Sequence, residues 1–176
     1  MSEPTLNDRF HLIGIGGAGM SVVAELLRSR GAIVEGSDRE DSAVLEHLRA
    51  VGVRVYVGHD ASHVDPTAVV VVSTAIRESN PELAIARERG QRVIHRSQAL
   101  ALAASGMRFV GVAGAHGKTS TSGMLAIALA ACGLDPSVAV GGVLPQLGTG
   151  AHLGAGDVFV AEADESDGSF LNYSPA

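Results

Sequence analysis

Two glycine-rich loops, each lying between an apolar run and a helical pattern, constrain this chain more than any other feature. The first covers residues 14–19 (GIGGAG) and the second residues 114–119 (GAHGKT). Both place backbone N–H groups at a helix N-terminus, where an anion is favoured. Only the second adds a lysine and a hydroxyl, which a triphosphate and Mg²⁺ require. The sequence therefore predicts two phosphorylated ligands, and ATP as one of them.

Strand and helix patterns alternate along the chain, which is typical of an α/β protein with a parallel sheet covered on both faces. Hydrophobic residues make up 46% of the chain and aromatic residues only 3%, so Val, Ala, Leu and Ile must fill the core. The alternation restarts at the second loop. We therefore predict a Rossmann-like domain over residues 1–106 and the beginning of a P-loop domain over residues 107–176, with a glycine-rich loop at residues 141–156.

Charge and composition limit the partners of the chain. The net charge is −6 and there is no long basic run, which argues against nucleic acid and against an anionic membrane surface. We find no signal peptide and no apolar run of membrane-spanning length, so a cytoplasmic protein is expected. The single cysteine, Cys132, is expected to be a buried, unreactive thiol. Ordinary surface positions are expected for His47, His59, His63 and His152.

In the first loop, Gly14, Gly16 and Gly19 match the pattern G-x-G-x-x-G. Gly14 allows the tight turn, Gly16 lets a pyrophosphate approach the backbone, and Gly19 lets the helix pack on the strand. Asp38 ends the next predicted strand about twenty residues further on, where a carboxylate can hold a ribose diol. The motif predicts nucleotide binding without selecting the nucleotide, since NAD and a nucleotide-sugar diphosphate both fit.

The second loop is a compact G-x-x-G-K-T and not a strict Walker A motif, because Val112 stands where the first glycine would be. Lys118 can reach the β- and γ-phosphates, and Thr119 can ligate Mg²⁺. His116 lies inside the loop and is, with Lys118, a candidate catalytic residue. The segment expected to bind ATP is Gly114, Ala115, His116, Gly117, Lys118, Thr119 and Ser120.

Four carboxylates follow the last predicted strand, those of Glu162, Asp164, Glu165 and Asp167. Like charges at this spacing repel one another unless a cation neutralises them. A Mg²⁺ between the carboxylates and the nucleotide phosphates would do so, with Glu162 as the first candidate ligand and Glu165 as the second. Arg96 closes an earlier strand at the edge where ligands bind in such sheets, so it can meet a phosphate or a carboxylate.

Together, these segments resemble the Mur ligases of peptidoglycan synthesis, and the resemblance runs nearly from end to end. It is specific through the combination of motifs. The first loop, followed by Met20, favours the branch that uses L-alanine over the branch that recycles murein tripeptide. The segments that carry the resemblance are residues 11–21 (HLIGIGGAGMS), 36–38 (GSD), 73–76 (STAI), 80–82 (NPE), 95–96 (HR), 114–119 (GAHGKT) and 162–171 (EADESDGSFL).

The resemblance implies an ATP-dependent, ADP-forming ligase. ATP would phosphorylate the carboxylate of UDP-N-acetylmuramate to an acyl phosphate, which the amine of L-alanine would attack. Lys118 would stabilise the transferring phosphoryl group, and Thr119 and Glu162 would hold Mg²⁺. The residues implied to bind the UDP-sugar are Gly14, Gly16, Gly17, Ala18, Gly19, Asp38, Ser73, Thr74, Ala75, Ile76 and Arg96.

Mur ligases have three domains, so the chain is expected to be an N-terminal part that binds the UDP-sugar and does not ligate. Two other functions stay open. One is an NAD-dependent oxidoreductase in which the Gly-Lys-Thr sequence is incidental, and the other is a non-catalytic nucleotide-binding module. The acidic residues after the last strand argue against the oxidoreductase, because a dehydrogenase does not need them.

Overall fold

The computed structural model of the chain describes residues 3–145 and 148–163. Contacts among residues divide the chain into two units, Met1–Leu102 and Ala103–Ala176. The division falls near the end of the helix that precedes residue 106, where the sequence predicts a domain boundary. The two units are described separately.

The first unit alternates strands and helices throughout. Its elements are, in chain order, β1 (Arg9–Ile13), α1 (Ala18–Ser29), β2 (Ile33–Asp38), α2 (Ala43–Ala50), β3 (Arg54–Val57), a short 3-10 helix (Ala61–His63), β4 (Val69–Val72), α3 (Pro81–Glu88), β5 (Val93–His95) and α4 (Arg96–Ala103). The five strands form one sheet in the order β3-β2-β1-β4-β5, and every neighbouring pair is parallel. The predicted α/β class is confirmed.

The central strand of this sheet is buried on both faces, as expected of a parallel sheet covered by helices. Phe10 and Leu12 point to one face of β1, and His11 and Ile13 to the other, and all four are fully buried. Ile13 packs in a cluster with residues of β4 and α3. Helix α1 buries apolar residues along its inner face, among them Val22, Val23, Leu26 and Leu27.

Side chains cap the α-helices α2 and α3 in this unit. Ser42 Oγ accepts a hydrogen bond from the N–H of Leu45 at the start of α2. Asn80 caps α3, and Pro81 occupies the first turn, where its missing N–H costs nothing. Helix α1 differs, because Gly17 precedes it without a side-chain cap. The first N–H groups of α1 are therefore open to another acceptor.

The strand order creates a topological switch between β1 and β4. The chain runs from β1 outward to β2 and β3, and it returns to the other side of β1 with β4 and β5. In open parallel sheets, ligands bind at such a switch, outside the carboxyl ends of the strands. The first glycine loop follows β1 and residues 73–76 follow β4, so the fold places both segments beside this crevice.

The second unit contains β6 (Arg108–Val112), α5 (Lys118–Ala131), β7 (Ser137–Leu144), β8 (Thr149–His152) and β9 (Val158–Glu162). Its described strands form a four-stranded sheet in the order β6-β9-β7-β8. Strand β9 is parallel to both of its neighbours, whereas β8 runs antiparallel to β7. The second glycine loop connects β6 to α5, as the sequence predicts.

One segment of the second unit differs from the prediction. Residues 141–156, expected to be a loop, contain the end of β7 and all of β8. The glycines of this segment are used within the strand: a Cβ at Gly141 would lie 3.4 Å from Glu162 Oε2, and one at Gly142 would lie 3.1 Å from Thr119 Cγ2. Glycine here admits close neighbours and does not mark a break in the strand.

Cys132, predicted to be buried, is exposed. It caps the C-terminus of α5, whose buried residues are Ser122, Gly123 and Ala126. Among the described residues, no helix combines the length and the apolar character that crossing a lipid bilayer requires.

Candidate functional site

The first glycine loop is held by the end of β2. The N–H groups of Gly14 and Ile15 both donate to the carbonyl oxygen of Ser37, at 2.8 and 2.9 Å. The N–H of Gly16 donates to Asp38 Oδ2 at 2.7 Å, and the N–H of Gly17 turns back to Gly14 O at 3.1 Å. These four N–H groups already have acceptors in β2 or in the loop itself. An anion would therefore meet the next N–H groups, at residues 18 and 19 in the first turn of α1.

The three glycines of the motif are required for different reasons. Gly14 has a φ of +76°, which only glycine adopts without strain. A Cβ at Gly16 would lie 2.9 Å from Asp38 Oδ2, so the missing side chain admits that carboxylate. At Gly19 a Cβ would collide with the guanidinium of Arg96. Gly19 thus makes room for an arginine, and its predicted role in packing the helix on the strand stays a prediction.

Asp38 is the carboxylate that the motif places at the end of the second strand. Its Oδ2 accepts from Gly16 and its Oδ1 accepts from the N–H of Arg39 at 2.7 Å. The side chain is partly exposed. Asp38 thus closes the loop from the β2 side. Contact with a ribose or with uridine stays a prediction for this residue.

Residues 73–76 form a turn at the carboxyl end of β4, in which the N–H of Ile76 donates to Ser73 O at 3.1 Å. Ile76 Cδ1 would be 3.2 Å from a Cβ at Gly14, so this turn lies directly beside the first loop. Thr74 and Ala75 are exposed at the tip of the turn. The fold therefore brings together four of the predicted segments: the first loop, Asp38, residues 73–76 and Arg96.

The structure contains a buried polar network near this site that the sequence analysis does not predict. Glu82, in the first turn of α3, is fully buried and accepts from Ser37 Oγ at 2.5 Å. His59 Nδ1 and His63 Nδ1 each lie 3.3 Å from a Glu82 carboxylate oxygen. The expectation that His59 and His63 are ordinary surface residues is therefore wrong. His47 and His152 do lie partly exposed, paired with Glu25 and Asp135.

The network has a weak signal in the sequence. Glu82 belongs to the motif at residues 80–82, but its partners are 19–45 positions away in the chain. The ring of His63 also stacks on Tyr56, with ring centroids 4.3 Å apart. No periodic pattern links residues at these separations, so only the fold brings them together.

His11 lies between two buried carboxylates. Its Nδ1 is 3.8 Å from Glu35 Oε1, and its Nε2 is 3.6 Å from Glu82 Oε2. Burial acts to lower the pKa of His11, but the polar contacts and charges of the two carboxylates outweigh it and raise the pKa. Burial acts to raise the pKa of Glu82, but His11 and Ser37 outweigh it and the pKa is lowered. The surroundings thus favour the charged forms of both groups.

The second glycine loop is shaped by its own backbone. Gly114 and Gly117 have φ values of +151° and +77°, both in the region that favours glycine. Gly117 is the N-cap of α5. The ammonium of Lys118 folds back and donates to Gly114 O at 2.7 Å. Around it the loop exposes Ala115, His116, Gly117, Thr119 and Ser120.

Glu162 is well placed to meet a cation at the end of this loop. It ends β9, opposite Val112 of β6, which leads into the second loop. Its Oε1 is buried and has no hydrogen-bond partner among the described residues. A buried carboxylate oxygen without a donor is costly unless a cation or a protonated group approaches it. The residue therefore fits a Mg²⁺ ligand, as does the exposed hydroxyl of Thr119.

The other acidic candidates, Asp164, Glu165 and Asp167, lie outside the described residues. Within residues 3–145 and 148–163, no group of three His, Cys, Asp or Glu side chains is arranged to hold a metal ion. A cation at Glu162 would therefore need ligands from elsewhere, and nucleotide phosphate oxygens are suitable ones.

Comparison with known proteins identifies the family. The model described as "Mur ligase family, catalytic domain" matches residues 9–108, more than half of the chain. The chain belongs to the Mur ligase family. The matched segment contains the first glycine loop and ends before the second. The match therefore includes the site at the first loop and not the second loop.

Curated Mur ligases extend the match across the second loop. Proteins named UDP-N-acetylmuramate–L-alanine ligase from Renibacterium salmoninarum, Nocardioides sp. and Streptomyces avermitilis are 57%, 54% and 56% identical over 172, 167 and 173 residues. These alignments cover 95–98% of this chain and 37% of each relative. The chain thus spans little more than a third of the length of these relatives.

Solved Mur ligase structures share the fold. A UDP-N-acetylmuramate-alanine ligase from Thermotoga maritima has a TM-score of 0.86 at 32% identity, with coverage of 96% of this chain and 40% of the other. The UDP-N-acetylmuramate:L-alanyl-γ-D-glutamyl-meso-diaminopimelate ligase from Neisseria meningitides has a TM-score of 0.88 at 31% identity, with coverage of 96% and 58%. Backbone similarity therefore does not separate these two kinds of Mur ligase.

Proposed function

We propose that the protein to which this chain belongs is an ATP-dependent ligase that joins L-alanine to the carboxylate of UDP-N-acetylmuramate. The observation that carries the proposal is the identity of 57% to a protein of that name along 97% of the chain, through both glycine loops. The presence of two glycine loops supports it, because a ligase of this kind needs one site for a sugar nucleotide and another for a triphosphate.

The first loop is the proposed site for the UDP-sugar. The N–H groups of Ala18 and Gly19 open helix α1 without a side-chain cap, and a diphosphate is a suitable acceptor. The Arg96 guanidinium lies against Gly19 and brings a positive charge to the same end of the helix. Asp38 and residues 73–76 flank this position. The negative diphosphate thus meets a helix N-terminus and one arginine.

The second loop is the proposed site for ATP. In the reaction, a carboxylate oxygen of the sugar attacks the γ-phosphorus and ADP leaves; the amine of L-alanine then attacks the acyl carbon and phosphate leaves. Lys118 moves from Gly114 O to the transferring phosphoryl oxygens and offsets their charge. Thr119 and Glu162 would hold Mg²⁺, which would neutralise phosphate charge. His116, exposed in the loop, is the second proposed catalytic residue.

The first test is calorimetric titration of the chain with UDP-N-acetylmuramate, with NAD⁺ as the comparison ligand. Saturable binding of the UDP-sugar alone is expected. Binding of NAD⁺ alone would overturn the proposal and favour an oxidoreductase, since both ligands offer a diphosphate to the same loop. A difference in affinity between the two ligands therefore comes from the parts of each ligand other than the diphosphate.

The second test uses the fact that Lys118 is the only lysine in the chain. An amine-reactive reagent therefore modifies Lys118 and, apart from it, only the N-terminal amine. Mass spectrometry of the modified peptides should show that Mg-ATP slows the modification of Lys118 and leaves the N-terminal amine unaffected. Equal rates with and without Mg-ATP would contradict the assignment of the second loop.

A further inference from the structure

One residue connects the buried network to the first glycine loop. The hydroxyl of Ser37 donates to Glu82, while the carbonyl of the same residue accepts the N–H groups of Gly14 and Ile15. Ser37 is fully buried, and it pairs with Ile13 at the last position of the β1–β2 register. The acceptor of two loop donors thus sits where the strands separate, with its side chain tied to α3.

The carboxylate of Glu82 has polar neighbours from separate parts of the unit. Its carboxylate lies 2.5 Å from Ser37 Oγ, 3.3 Å from the Nδ1 atoms of His59 and His63, and 3.6 Å from His11 Nε2. The N–H of Asp60 donates to it at 3.4 Å. A buried carboxylate is stable only with such a set of partners, and packing α3 on the sheet would not need a charge.

We propose that Glu82 is a positioning residue for the first glycine loop. Through the Ser37 hydroxyl it fixes the carbonyl that holds Gly14 and Ile15, and so it aims the first N–H groups of α1 at the diphosphate of a nucleotide sugar. This inference rests on the proposed function of the first loop. The inference concerns only the UDP-sugar site, because Glu82 and Ser37 both belong to the first unit.

A double-mutant cycle tests whether Glu82 acts through Ser37. Glu82→Gln keeps an oxygen acceptor and removes the charge, Ser37→Ala removes the hydroxyl, and Glu88→Gln is the control, an exposed glutamate in the same helix. We expect Ser37→Ala to weaken UDP-N-acetylmuramate binding about tenfold and Glu82→Gln to weaken it by less. The double variant should bind as weakly as Ser37→Ala alone, because residues that act in series are not additive.

Amide hydrogen exchange tests the positioning directly and needs no ligand. Ser37→Ala should speed exchange at Gly14 and Ile15 about tenfold relative to Val70, whose N–H lies in the neighbouring strand β4. Glu88→Gln should leave this ratio and the UDP-sugar affinity unchanged. ATP protection of Lys118 should be the same in all variants, since that residue belongs to the other unit.

Two results would overturn the proposal. One is a double variant whose loss of affinity equals the product of the two single losses, which would make Glu82 independent of Ser37. The other is an unchanged exchange ratio in folded Ser37→Ala, which decides the question even where Glu82→Gln fails to fold. A wild-type chain that does not bind the UDP-sugar would instead overturn the proposed function, while the exchange ratio would still decide the positioning role.

Discussion

The two glycine loops follow the same strand–loop–helix plan and are shaped in opposite ways. The first is shaped by its surroundings: Ser37 and Asp38 hold its N–H groups, and Arg96 fills the space beside Gly19. The second is shaped by its own backbone, since nothing lies within 4 Å of a Cβ at Gly117 and Lys118 bonds to the loop itself. The first loop is therefore held by neighbouring segments, whereas the lysine of the second is held by a carbonyl of its own loop.

The largest effect that separates the loops is expected from Lys118→Ala. In the whole ligase, formation of ADP should fall by about a hundredfold or more, because the positive charge at the transferring group is lost. The affinity for UDP-N-acetylmuramate should be unchanged. Rates of ADP release and calorimetry on the same preparation give both values. A parallel loss of UDP-sugar affinity would mean that the two loops are not independent, and the comparison would fail.

The next effect concerns the glycines themselves. Gly16→Ala forces a Cβ to within 2.9 Å of Asp38 Oδ2 and 3.2 Å of Leu45 Cδ2. It should cost about 1–3 kcal/mol of stability in the first unit and weaken UDP-sugar binding. Gly117→Ala meets no neighbour, so its cost should be only the backbone strain, about 1–2 kcal/mol. Urea unfolding followed by probes in each unit distinguishes the two. A larger cost at Gly117 than at Gly16 would reverse the comparison.

A smaller effect is expected from Arg96→Gln. The variant removes the cation beside Gly19, and the UDP-sugar should bind about tenfold more weakly, as for the loss of one charge-assisted hydrogen bond. Arg77→Gln is the control, since Arg77 is exposed just beyond the neighbouring turn. Calorimetry at two salt concentrations should show a weaker salt dependence for Arg96→Gln than for the control. If Arg96→Gln and the control bind the UDP-sugar equally well, the loop backbone alone binds the diphosphate.

The smallest effect is expected from pH, because burial opposes the shifts of both groups involved. The raised pKa of His11 means that its contribution to stability is complete below the ordinary value of 6.5 and is lost as pH rises through the folded-state pKa. The lowered pKa of Glu82 means that its contribution is present above the ordinary value of 4.5 and is lost as pH falls through the folded-state pKa. Stability should therefore be highest between these two values and decline on both sides.

Urea midpoints of the chain measured across this range test the pH prediction. Glu82→Gln should remove its own contribution to the acid decline and shrink the alkaline one, since His11 then loses one of its two carboxylates. A flat profile in the wild type, or an unchanged profile in the variant, would contradict the ion-pair account of the network.

Much of the fold was predictable because it rests on short-range patterns. The buried valines of β4, the glycine stops and the caps at Ser42 and Asn80 are all local signals. Strand β8 (TGAH) was missed because it is short and nearly free of β-branched residues. The register of β7 and β8 also shifts between Ala139 and Leu144, which removes a regular alternation.

The site was predictable only as far as sequence motifs reach. The glycine pattern identified the first loop. It could not show that the Gly16 N–H donates a hydrogen bond to Asp38 or that Gly19 faces Arg96. These contacts join segments that come together only in the folded unit. The same limit hid the surroundings of Glu82, whose partners come from β1, from β2 and from the segment between β3 and β4.

The distance along the chain between Ser37 and Glu82, 45 residues, has a consequence for folding. During folding, a contact between residues so far apart forms late, because the intervening segment must first lose conformational entropy. If Glu82 positions the first glycine loop as proposed, the loop reaches its final geometry only once α3 has docked. A nascent or partly unfolded first unit would hold the strand and helix on either side of the loop and still fail to capture a nucleotide sugar. Ligand capture thus reports that folding of the unit is complete.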